Sequence, residues 1–512
     1  MEEGAYTFVL PVTDDTMQPL AEARDQFPGS CILAIPPDEA LAVMTDKART
    51  FELAESLGIA LPRGITCSQE ADLLSAATEL GYPLVLKPGR SLASAAGDLR
   101  TSLFVAYASD EAELMRHGRA MLRYGAVIIQ ERVTGDGVGI EVLADQGEIV
   151  QIFEHRRIHE WPLTGGGSSY RESVSPHPAL VEDAKKLMRA VNWHGVAMVE
   201  FKHDLEAGRH WLMEVNGRFW GSLPLALAAG ADFPRSLHDL LVLGRRPTDP
   251  PARTGIRSRQ FTRDFWWTLE VLRRVDPNPL IDWPSRGQAI RDLLRFFLPS
   301  DRLDLQSFRD PRPGFVEMGR IVSDLGAKIS SRVRRKRLVA RAMKERRQTE
   351  ASAQRLRDAR ALLFLCHGNI NRSALAEHDL RRRLGPVERP SIVSAGFHLK
   401  GDRPADPTMR RLADEVGVSL EASRSRVLDE GLVRDADLIF VMEAAQQLRL
   451  EEEHPGAIGK TMLLGSFAPL DDSVEIADPY GGEEDRYRRA RDAVMACTER
   501  MATILRTESA SC

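Results

Sequence analysis

The sequence predicts a multidomain α/β protein, with a larger N-terminal α+β domain and a small, doubly wound parallel α/β sheet near the C-terminal end. Three observations favour this class. The chain has 512 residues, enough for about two to four domains of ordinary size. Apolar runs typical of strands alternate with helical patterns in two separate regions. A highly charged segment without Gly or Pro divides those regions.

The composition is that of an ordinary soluble globular protein and indicates no class of partner. Hydrophobic residues make up 43%, charged residues 28%, and the formal net charge is -5. The N-terminus has no basic region, and no apolar run approaches the roughly 18 residues that span a bilayer. We therefore expect a cytoplasmic protein. Its five cysteines are scattered without a C-x-x-C pair, so we expect reduced thiols rather than a disulfide framework.

The first large region alternates strand-like and helical stretches. The runs YPLVLKP, AVIIQERV, VAMVEF and HWLMEVN resemble strands, whereas EADLLSAATEL and DEAELMRHGRAMLR resemble helices. We assign this domain to residues 46–245, after a short segment at 1–45. Residues 246–328 are rich in Pro, Trp and Arg and predict a helical region. Its paired aromatic residues, Trp266 with Trp267 and Phe296 with Phe297, are interpreted as packing anchors, with an amphipathic contact surface as the alternative.

The charged segment at residues 329–359 predicts a solvated helix that links two domains. It is basic, Ala-rich and apolar at only a few positions. Such a run is compatible with binding to anionic lipid or nucleic acid, but an exposed linker is the simpler interpretation. We expect no nucleic-acid partner, and weak contact with an anionic membrane stays open as a hypothesis.

The last domain, at residues 360–512, has the βαβ rhythm of a small parallel sheet. Its strand-like runs are ALLFLC, PSIVSAG, ADLIFVM and KTMLLGSF, and helical patterns separate them.

One cysteine lies between the first of these strands and the following helix. Cys366 and Arg372 are separated by five residues, so one loop can wrap a tetrahedral oxyanion. The loop amides and the planar guanidinium would bind phosphate oxygens and stabilise a thiolate that attacks phosphorus. Ser373 is placed to donate to sulfur or to cap the helix, and Asn369 is suited to holding the loop. Taken alone, the motif is equally compatible with a buried structural cysteine.

A second signal lies far downstream in IADPYGGEEDRY. Cleavage of a phosphoester needs an acid that protonates the leaving oxygen, and Asp478 is the candidate. Tyr480 is placed to flank a flat substrate. By itself an Asp-Pro pair predicts only a turn, so this assignment depends on the cysteine loop.

Together these stretches resemble the low-molecular-weight protein tyrosine phosphatase family from about Ala361 to Thr507. FLCHGNINRSALAE resembles its phosphate loop, VSAGF, RPADPTMRRLADEVGV, SRSRVL and ADLIFVM its central part, and DPYGG its acid loop. The resemblance implies Cys366 as nucleophile, Arg372 as transition-state clamp and Asp478 as general acid and then base. It further implies a phosphocysteine intermediate, a phosphotyrosine or related phosphomonoester substrate, and no metal.

Two positions differ from the family pattern. Asn371 stands where many members have a second cysteine, which removes a nearby resolving thiol. An arsenate reductase-like activity, the alternative, needs further cysteines, and the spacings of Cys497 and Cys512 do not match that need. Ala374 replaces the proline that usually follows the Arg-Ser pair, which should affect only the helix start.

The N-terminal domain has a dispersed set of candidate residues. Lys87 follows an apolar strand and precedes the Gly/Ser/Ala-rich PGRSLASAAGD, so its ammonium is placed to meet phosphates beneath a flexible loop. Glu214 and Asn216 alternate along one strand face, and Glu200 lies on a neighbouring strand. Such oxygen donors suit Mg²⁺ that bridges ATP phosphates. Alternatively, arginines such as Arg218 compensate the carboxylates without a metal.

In their order along the chain, these pieces resemble the ATP-grasp superfamily, particularly its carboxylate–amine ligases, from about Asp46 to Leu243. The motifs are TDKART, YPLVLKPGRSLASAAGD, VIIQERVTGDGVGIEVL, FEHRRIHEWPLTGGGSSYRES, AMVEFKHD and HWLMEVNGRFWGSLPLA. The resemblance implies that Lys47 and Lys87 bind ATP phosphates. Glu131 and Val133 would lie at the adenine hinge, and Glu141 would contact the ribose or the catalytic centre.

The same resemblance implies the catalytic side of the cleft. Glu200, Glu214 and Asn216 would bind Mg²⁺, and Arg218 would face the γ-phosphate or an acyl phosphate. The substrate side would be formed by Arg157, Glu160 and the TGGGSS loop. The implied reaction is phosphorylation of a carboxylate, followed by attack of an amine on the acyl phosphate.

The segment at residues 1–45 is shorter than the domain that usually precedes an ATP-grasp domain, so the acid and amine substrates stay open. The leading hypothesis is a bifunctional enzyme in which an ATP-dependent ligase is fused to a cysteine phosphatase. The alternative is an ATP-sensing domain that regulates the phosphatase. The presence of Glu200, Glu214, Asn216 and Arg218 favours the ligase, because a pure sensor does not need all four.

Overall fold

The computed structural model describes residues 6–88, 92–94, 100–102, 105–163, 165–248, 250–274, 280–298, 300–306, 310–347, 349–386, 390–469 and 473–506. The chain forms two compact units, residues 1–321 and 322–512. Within the described ranges, no helix is both long enough and apolar enough to span a bilayer.

The first unit begins with a small α/β segment. Its elements are β1 (Phe8–Val9), α1 (Asp14–Glu22), β2 (Ile32–Leu33) and α2 (Asp38–Met44). The two strands pair in parallel. The next helix, α3 (Lys47–Ser56), begins at an Asp46 N-cap that accepts the N–H groups of Ala48 and Arg49, as expected for an Asp at this position. The N-cap places Lys47 at the first helical residue.

A four-stranded antiparallel sheet follows, in the order β3 (Gly64–Cys67), β8 (Val127–Glu131), β4 (Leu84–Pro88) and β7 (Ala106–Ala108). Helices α4 (Glu70–Leu80) and α5 (Glu111–Leu122) cover it and bury a shared apolar core. The strands and helices expected from the sequence are confirmed here. A short hairpin of β5 (Leu92–Ser94) and β6 (Arg100–Ser102) follows β4.

The main sheet of the unit has seven strands. Their order is β13 (Arg209–Asn216), β12 (Gly195–Asp204), β9 (Asp136–Asp145), β10 (Glu148–Trp161), β11 (Gly167–Val174), β14 (Arg257–Arg259) and β15 (Asp301–Leu303). All neighbours pair antiparallel except β14 and β15. Its helices are α6 (Pro178–Ala190), α7 (Leu223–Ala229) and α8 (Phe233–Leu243). Apolar cores form on both sides of β9 and β12, which explains their nearly continuous burial.

The region predicted to be helical also contains strands in the structure. It does contain α9 (Phe261–Arg273) and α10 (Arg286–Leu294), but β14 and β15 join the main sheet. The Trp267 ring is buried and stacks on the His159 ring of β10 at 3.4 Å between centroids. This contact agrees with its interpretation as a packing anchor. The Phe297 side chain lies outside the described residues.

The charged linker also differs from the prediction. Helix α11 spans Arg312–Arg347 and α12 spans Thr349–Asp358, so helical structure begins well before residue 329. Ala342, Ala353 and Leu356 are buried in the second unit. The buried Arg346 guanidinium donates to the carbonyl of Gly465 at 2.8 Å. The end of the segment is therefore packed rather than solvated, and Leu338 and Val339 also pack against the core of the second unit.

The second unit is built on a four-stranded parallel sheet. The order is β17 (Ser391–Gly396), β16 (Ala361–Cys366), β18 (Leu438–Val441) and β19 (Thr461–Leu463). The remaining helices are α13 (Arg372–Leu384), α14 (Pro407–Asp414), α15 (Glu430–Asp435), α16 (Ala444–Glu453) and α17 (Glu484–Arg506). Two apolar cores enclose the sheet. The predicted doubly wound parallel sheet is confirmed, and Cys366 ends one of its two central strands.

Candidate active sites

The loop from Cys366 to Arg372 runs from the end of β16 to the first residue of α13. Cys366 is 2% exposed. Its Sγ lies 3.0 Å from Ser373 Oγ and accepts the Asn369 N–H at 3.3 Å. These two polar groups suit a thiolate, because each can donate a hydrogen bond to the sulfur.

Asn369 holds the loop through its side chain and its backbone. It lies in the left-handed region with φ of 53°, which asparagine tolerates better than most residues. Its Nδ2 donates to Ser373 Oγ at 3.0 Å and to Ser394 Oγ at 2.8 Å, and its Oδ1 accepts the Arg426 N–H at 2.7 Å. A Cβ on Gly396 would lie 2.9 Å from the Asn369 nitrogen, so the loop packs against the end of β17.

Arg372, the predicted transition-state clamp, lies next to Asp478, the predicted acid. Arg372 is fully buried, and its Nη1 donates to the Ile476 carbonyl at 2.7 Å and to Glu443 Oε2 at 3.0 Å. Its Nη2 lies 2.6 Å from Asp478 Oδ2. Asp478 Oδ1 accepts the Tyr480 N–H at 3.3 Å. The structure thus brings the guanidinium and the distant carboxylate together beside the cysteine loop.

Residues that were not predicted complete this site. The Glu443 carboxylate shares the Arg372 guanidinium with Asp478. Tyr487 accepts the Gly481 N–H and donates to Asp406 at 3.2 Å, which fixes the turn after Asp478. Burial, followed by the Asp406 carboxylate, raises the pKa of Tyr487 to about 12, so its hydroxyl stays protonated. Tyr487 lies within α17, and Glu443 and Asp406 directly precede helices, so no local pattern singles them out.

In the first unit, the three predicted metal ligands converge. Glu200 on β12 pairs in register with Glu214 on β13, and Asn216 follows two residues later on the same face. Asn216 Nδ2 donates to Glu200 Oε1 and to Glu214 Oε1, both at 3.2 Å. One amide therefore ties the two carboxylates together.

Basic side chains surround the two carboxylates. Lys47 Nζ lies 3.5 Å from Glu214 Oε2, and Arg157 forms an ion pair with Glu200. Arg218 Nη2 donates to Asn216 Oδ1 at 3.2 Å. Burial, and then the positive charge of Lys47, lower the pKa of Lys87 to about 8. The predicted phosphate-binding lysines thus belong to one electrostatic cluster with the predicted metal ligands.

The two carboxylates respond to this cluster in opposite ways. Burial, together with the neighbouring Glu214 charge, raises the pKa of Glu200 above its ordinary value despite Arg157. Burial also acts to raise the pKa of Glu214, but Lys47, the Asn216 amide and Arg157 outweigh it, and the net shift is downward. Glu214 is therefore the carboxylate that this environment favours as the anion.

The donor set fits a hard cation such as Mg²⁺. Two carboxylates and one amide oxygen are ligands that Mg²⁺ accepts, with water or phosphate oxygens for the remaining positions. Among the described residues, no group of three or more His, Cys, Asp and Glu side chains is placed to hold a metal ion. The predicted set contains two such residues and an asparagine.

A cleft of about 1510 Å³ opens beside this cluster. Lys47, Glu214, Asn216 and Arg218 line one side, and residues of the short N-terminal segment line the other. Arg218 Nη2 lies 2.8 Å from Asp14 Oδ2 at the start of α1. The N-terminal segment therefore forms a wall of the cleft, which the sequence did not reveal.

Other predicted residues lie outside the carboxylate cluster. Glu131 ends β8, and its carboxylate accepts both the backbone N–H and the Nε–H of Arg63 at 2.9 Å. Val133 lies two residues after the end of that strand. Glu141 is fully buried and accepts a hydrogen bond from Ser222 at 2.7 Å, with His155 Nδ1 at 2.8 Å. Glu141 thus holds Ser222 and His155 in place, and its predicted contact with the ribose or the catalytic centre stays a prediction.

Only part of the predicted substrate side of the cleft lies within the described residues. Glu160 Oε1 lies 3.6 Å from both Arg157 Nη1 and Lys202 Nζ, so Arg157 links Glu160 to Glu200. Residues 89–91 and 95–99 of the Gly/Ser/Ala-rich loop, and Thr164 of the TGGGSS loop, lie outside the described residues.

The fold and the two sites define an enzyme with an ATP-grasp ligase-type unit and a cysteine phosphatase-type unit. Residues 361–511 match the family model of low molecular weight phosphotyrosine protein phosphatase. Residues 124–263 match the model for ATP-grasp in the biosynthetic pathway with Ter operon. The chain therefore belongs to the low-molecular-weight protein tyrosine phosphatase family through its second unit, and its first unit contains an ATP-grasp domain.

Individual relatives agree with both assignments. A probable low molecular weight protein-tyrosine-phosphatase EpsP of Ralstonia nicotianae is 33% identical over 26% of this chain and 88% of its own length. A D-alanine–D-alanine ligase of Stutzerimonas stutzeri is 33% identical over 44% of this chain and 72% of its own length. The crystal structure of the tyrosine phosphatase Wzb from Escherichia coli K30 with sulphate is 33% identical, covers 28% of this chain and 97% of Wzb, and has a TM-score of 0.26. Both predicted resemblances are confirmed.

Proposed function

We propose that the chain is a bifunctional enzyme. Its first unit joins a carboxylic acid to an amine with ATP and Mg²⁺ through an acyl phosphate. Its second unit hydrolyses phosphotyrosine or a related phosphomonoester through a phosphocysteine. The observation that supports the ligase most directly is the Asn216 amide that ties Glu200 to Glu214 beneath four basic side chains.

Each residue of that cluster has a defined task in the proposed ligase. Lys47 and Lys87 bind the ATP phosphates, and the strand end at Glu131 and Val133 receives the adenine. Arg218 lies in the cleft, where it stabilises negative charge on the acyl phosphate as the amine attacks. Glu200, Glu214 and Asn216 would hold Mg²⁺. When bound, that ion would neutralise phosphate charge and polarise the phosphoryl oxygens.

The phosphatase reaction follows from the cysteine loop. The Cys366 thiolate attacks phosphorus, so an S–P bond forms while the bond to the leaving oxygen breaks. Asp478 donates a proton to that oxygen, and Arg372 with the loop amides binds the phosphoryl oxygens. Asp478 then takes a proton from the water that attacks phosphorus. The S–P bond breaks, phosphate leaves, and Ser373 stabilises the returning thiolate.

The ligase is tested by nucleotide turnover in Mg-ATP with a small-molecule extract of the host. Wild type, Glu214→Ala and the control Glu206→Ala, at an exposed turn between β12 and β13, are compared for ADP, AMP and new product masses. ADP with a coupled product, lost only in Glu214→Ala, supports a ligase and identifies its substrates. ATP binding without turnover contradicts a ligase and favours an ATP-sensing unit.

The phosphatase mechanism is tested by rapid acid quench with p-nitrophenyl phosphate, followed by mass analysis of the Cys366 peptide. Asp478→Asn should slow hydrolysis of the intermediate, so a mass increase of one phosphoryl group should accumulate on that peptide. Cys366→Ser should show neither turnover nor the added mass. Turnover in Cys366→Ser would contradict a covalent mechanism at this residue.

A further inference from the structure

Six basic residues surround the mouth of the cysteine loop, and the proposed reaction uses none of their side chains. We call them the basic rim: His367, His398, Lys400, Arg403, Arg424 and Arg426. Lys400, Arg403, Arg424 and Arg426 are ordinarily charged at neutral pH. His367, Lys400, Arg424 and Arg426 are exposed, and the other two are partly exposed.

Contacts with the loop place the first part of the rim at the site. The His398 backbone N–H donates to the His367 carbonyl at 2.9 Å. Arg403 Nη2 donates to the Gly368 carbonyl at 2.6 Å. The segment that contains Lys400 is thereby held against the residues that directly follow Cys366.

The second part of the rim is anchored in a similar way. The Arg426 N–H donates to Asn369 Oδ1, and its carbonyl accepts the Gly396 N–H at 2.9 Å. Arg424 pairs across an isolated bridge with Pro404, next to Arg403. The two segments therefore form one surface beside the loop.

Few acidic groups lie close to the basic side chains of the rim. Within the described part of the chain, none of its six side chains lies within 4.0 Å of a carboxylate oxygen, whereas arginines elsewhere in the unit, such as Arg383, Arg411 and Arg488, form ion pairs. Partial burial, and then the charges of Arg403, His367 and Lys400, lower the pKa of His398. The nearby acids Glu443 and Asp478 are engaged by Arg372, and Asp402 is an exposed acid within the rim segment.

Cations without a carboxylate partner beside a phosphate site attract substrate charges beyond the phosphate itself. Such charges act over roughly 8–10 Å at moderate salt and affect specificity and association rate more than the chemical step. Leu399, which is 74% exposed within the same segment, adds an apolar contact that a peptide can cover. These features favour an extended acidic polypeptide over a small ester.

We propose that the basic rim selects phosphorylated protein segments that have additional acidic side chains next to the phosphorylated residue. This inference rests on the proposed phosphatase activity of Cys366. It adds a substrate class to that activity, because the proposed chemistry at Cys366 uses none of the rim side chains. They are specificity-determining residues rather than catalytic ones.

The test uses the full chain and two phosphotyrosine peptides of equal length. One has Asp and Glu beside the phosphotyrosine, and the other has Asn and Gln at the same positions. The rim variant is Lys400→Gln with Arg426→Gln, both exposed. The matched control is Arg360→Gln with Arg434→Gln, which removes the same charge at the opposite, amino-terminal end of the strands. p-Nitrophenyl phosphate reports the basal activity of each protein.

We expect wild type and the control to have a kcat/KM about tenfold higher for the acidic peptide, a preference that falls as salt rises. The rim variant should lose most of that preference and keep its p-nitrophenyl phosphate turnover. Equal kcat/KM for the two peptides, or a preference unchanged in the rim variant, overturns the inference. The rim would instead bind nucleic acid if a single-stranded oligonucleotide inhibits wild type but not the rim variant, and if neither protein prefers the acidic peptide. Absence of p-nitrophenyl phosphate turnover in wild type would overturn the phosphatase itself.

Discussion

The two candidate sites differ in how the chain assembles them. In the second unit, the nucleophile, the loop amides and the guanidinium lie within residues 366–372. In the first unit, the cluster combines a helix start at Lys47, the strand residue Lys87, the long strand of Arg157 and the paired strands of Glu200 and Glu214. A continuous loop thus defines its own geometry, whereas the dispersed site depends on the register of a large sheet.

Their charge balance differs as well. The cysteine loop has one buried guanidinium, which two carboxylates engage. The ATP-grasp cluster has two partly buried carboxylates that basic side chains and one amide engage. An anionic phosphate can compete with Asp478 and Glu443 for Arg372, while a cation can compete with Lys47 and Arg157 for the carboxylates. The group that a ligand can reach by displacing its partners is thus a guanidinium in the second unit and a pair of carboxylates in the first.

Replacement of the nucleophile should give the largest effect. We expect Cys366→Ser to lower p-nitrophenyl phosphate turnover by at least about 10⁴-fold, because a hydroxyl is a far weaker nucleophile than a thiolate at neutral pH. Cys497→Ser, at the other described cysteine of the unit, should keep its turnover. ADP formation by the Cys366→Ser protein should equal that of wild type, and a parallel loss of both activities would contradict independent sites.

In the dispersed site, Asn216→Ala should lower ATP turnover by about 100-fold, since it removes the amide that ties Glu200 to Glu214 and one oxygen donor. Steady-state ADP release measures the loss. Asn216→Asp retains an oxygen donor and should recover part of the rate. If Asn216→Ala turns over ATP at the wild-type rate, the three residues do not act as one set.

The sheet beneath the dispersed site supplies a third test. Asp264 on α9 lies 2.7 Å from His159 Nδ1 on β10 and accepts from Arg259 at 2.6 Å. We expect Asp264→Ala to lower the free energy of unfolding of the first unit by about 3 kcal/mol, because it leaves a buried guanidinium short of a partner. Unfolding is followed by tryptophan fluorescence, since all seven tryptophans lie between residues 161 and 283.

The matched control for that test is Asp282→Ala. Asp282 pairs with Arg132, but its side chain is 86% exposed, so water and salt screen the pair and the change should be below about 1 kcal/mol. Equal effects of the two substitutions would show that the region after residue 246 is not an integral part of the main sheet.

The sequence was most informative where function lies in consecutive residues. The spacing of Cys366 and Arg372 and the rhythm of four strands predicted the fold of the second unit, which the structure confirms. Glu214 and Asn216 were placed on one strand face by alternation alone, and the structure brings Glu200 to them. Such inferences need only local periodicity and the pairing of neighbouring strands.

Contacts between distant segments were beyond sequence reasoning. Nothing local to Glu443 or Asp14 indicates that each would meet an arginine, Arg372 and Arg218 respectively. The strands β14 and β15 have three residues each, too short for a periodic pattern, so they were missed in a region that predicted helices. The burial of Arg346 was missed because its partner is the Gly465 carbonyl in another element, and a charged segment is normally solvated.

The smallest expected effect comes from a buried acid in the main sheet, Glu154. Burial, and then the Glu141 charge, raise the pKa of Glu154 to about 7, although the His177 N–H donates to it. Between about pH 4.5 and 7 the folded state therefore holds a proton that the unfolded chain has lost. The unfolding free energy of the first unit should fall as pH rises through this window, with most of the loss complete above about pH 7.

Glu154→Gln replaces the protonated acid with a neutral amide and should remove this dependence. At about pH 5 the variant and wild type should unfold at similar denaturant concentrations, whereas at about pH 8 the variant should be more stable by about 2 kcal/mol. Glu148→Gln, at the exposed start of the same strand, should leave the pH dependence in place. A Glu154→Gln protein that is less stable than wild type at high pH would show that the carboxylate is ionised in the fold and that its hydrogen bond from His177 outweighs its burial.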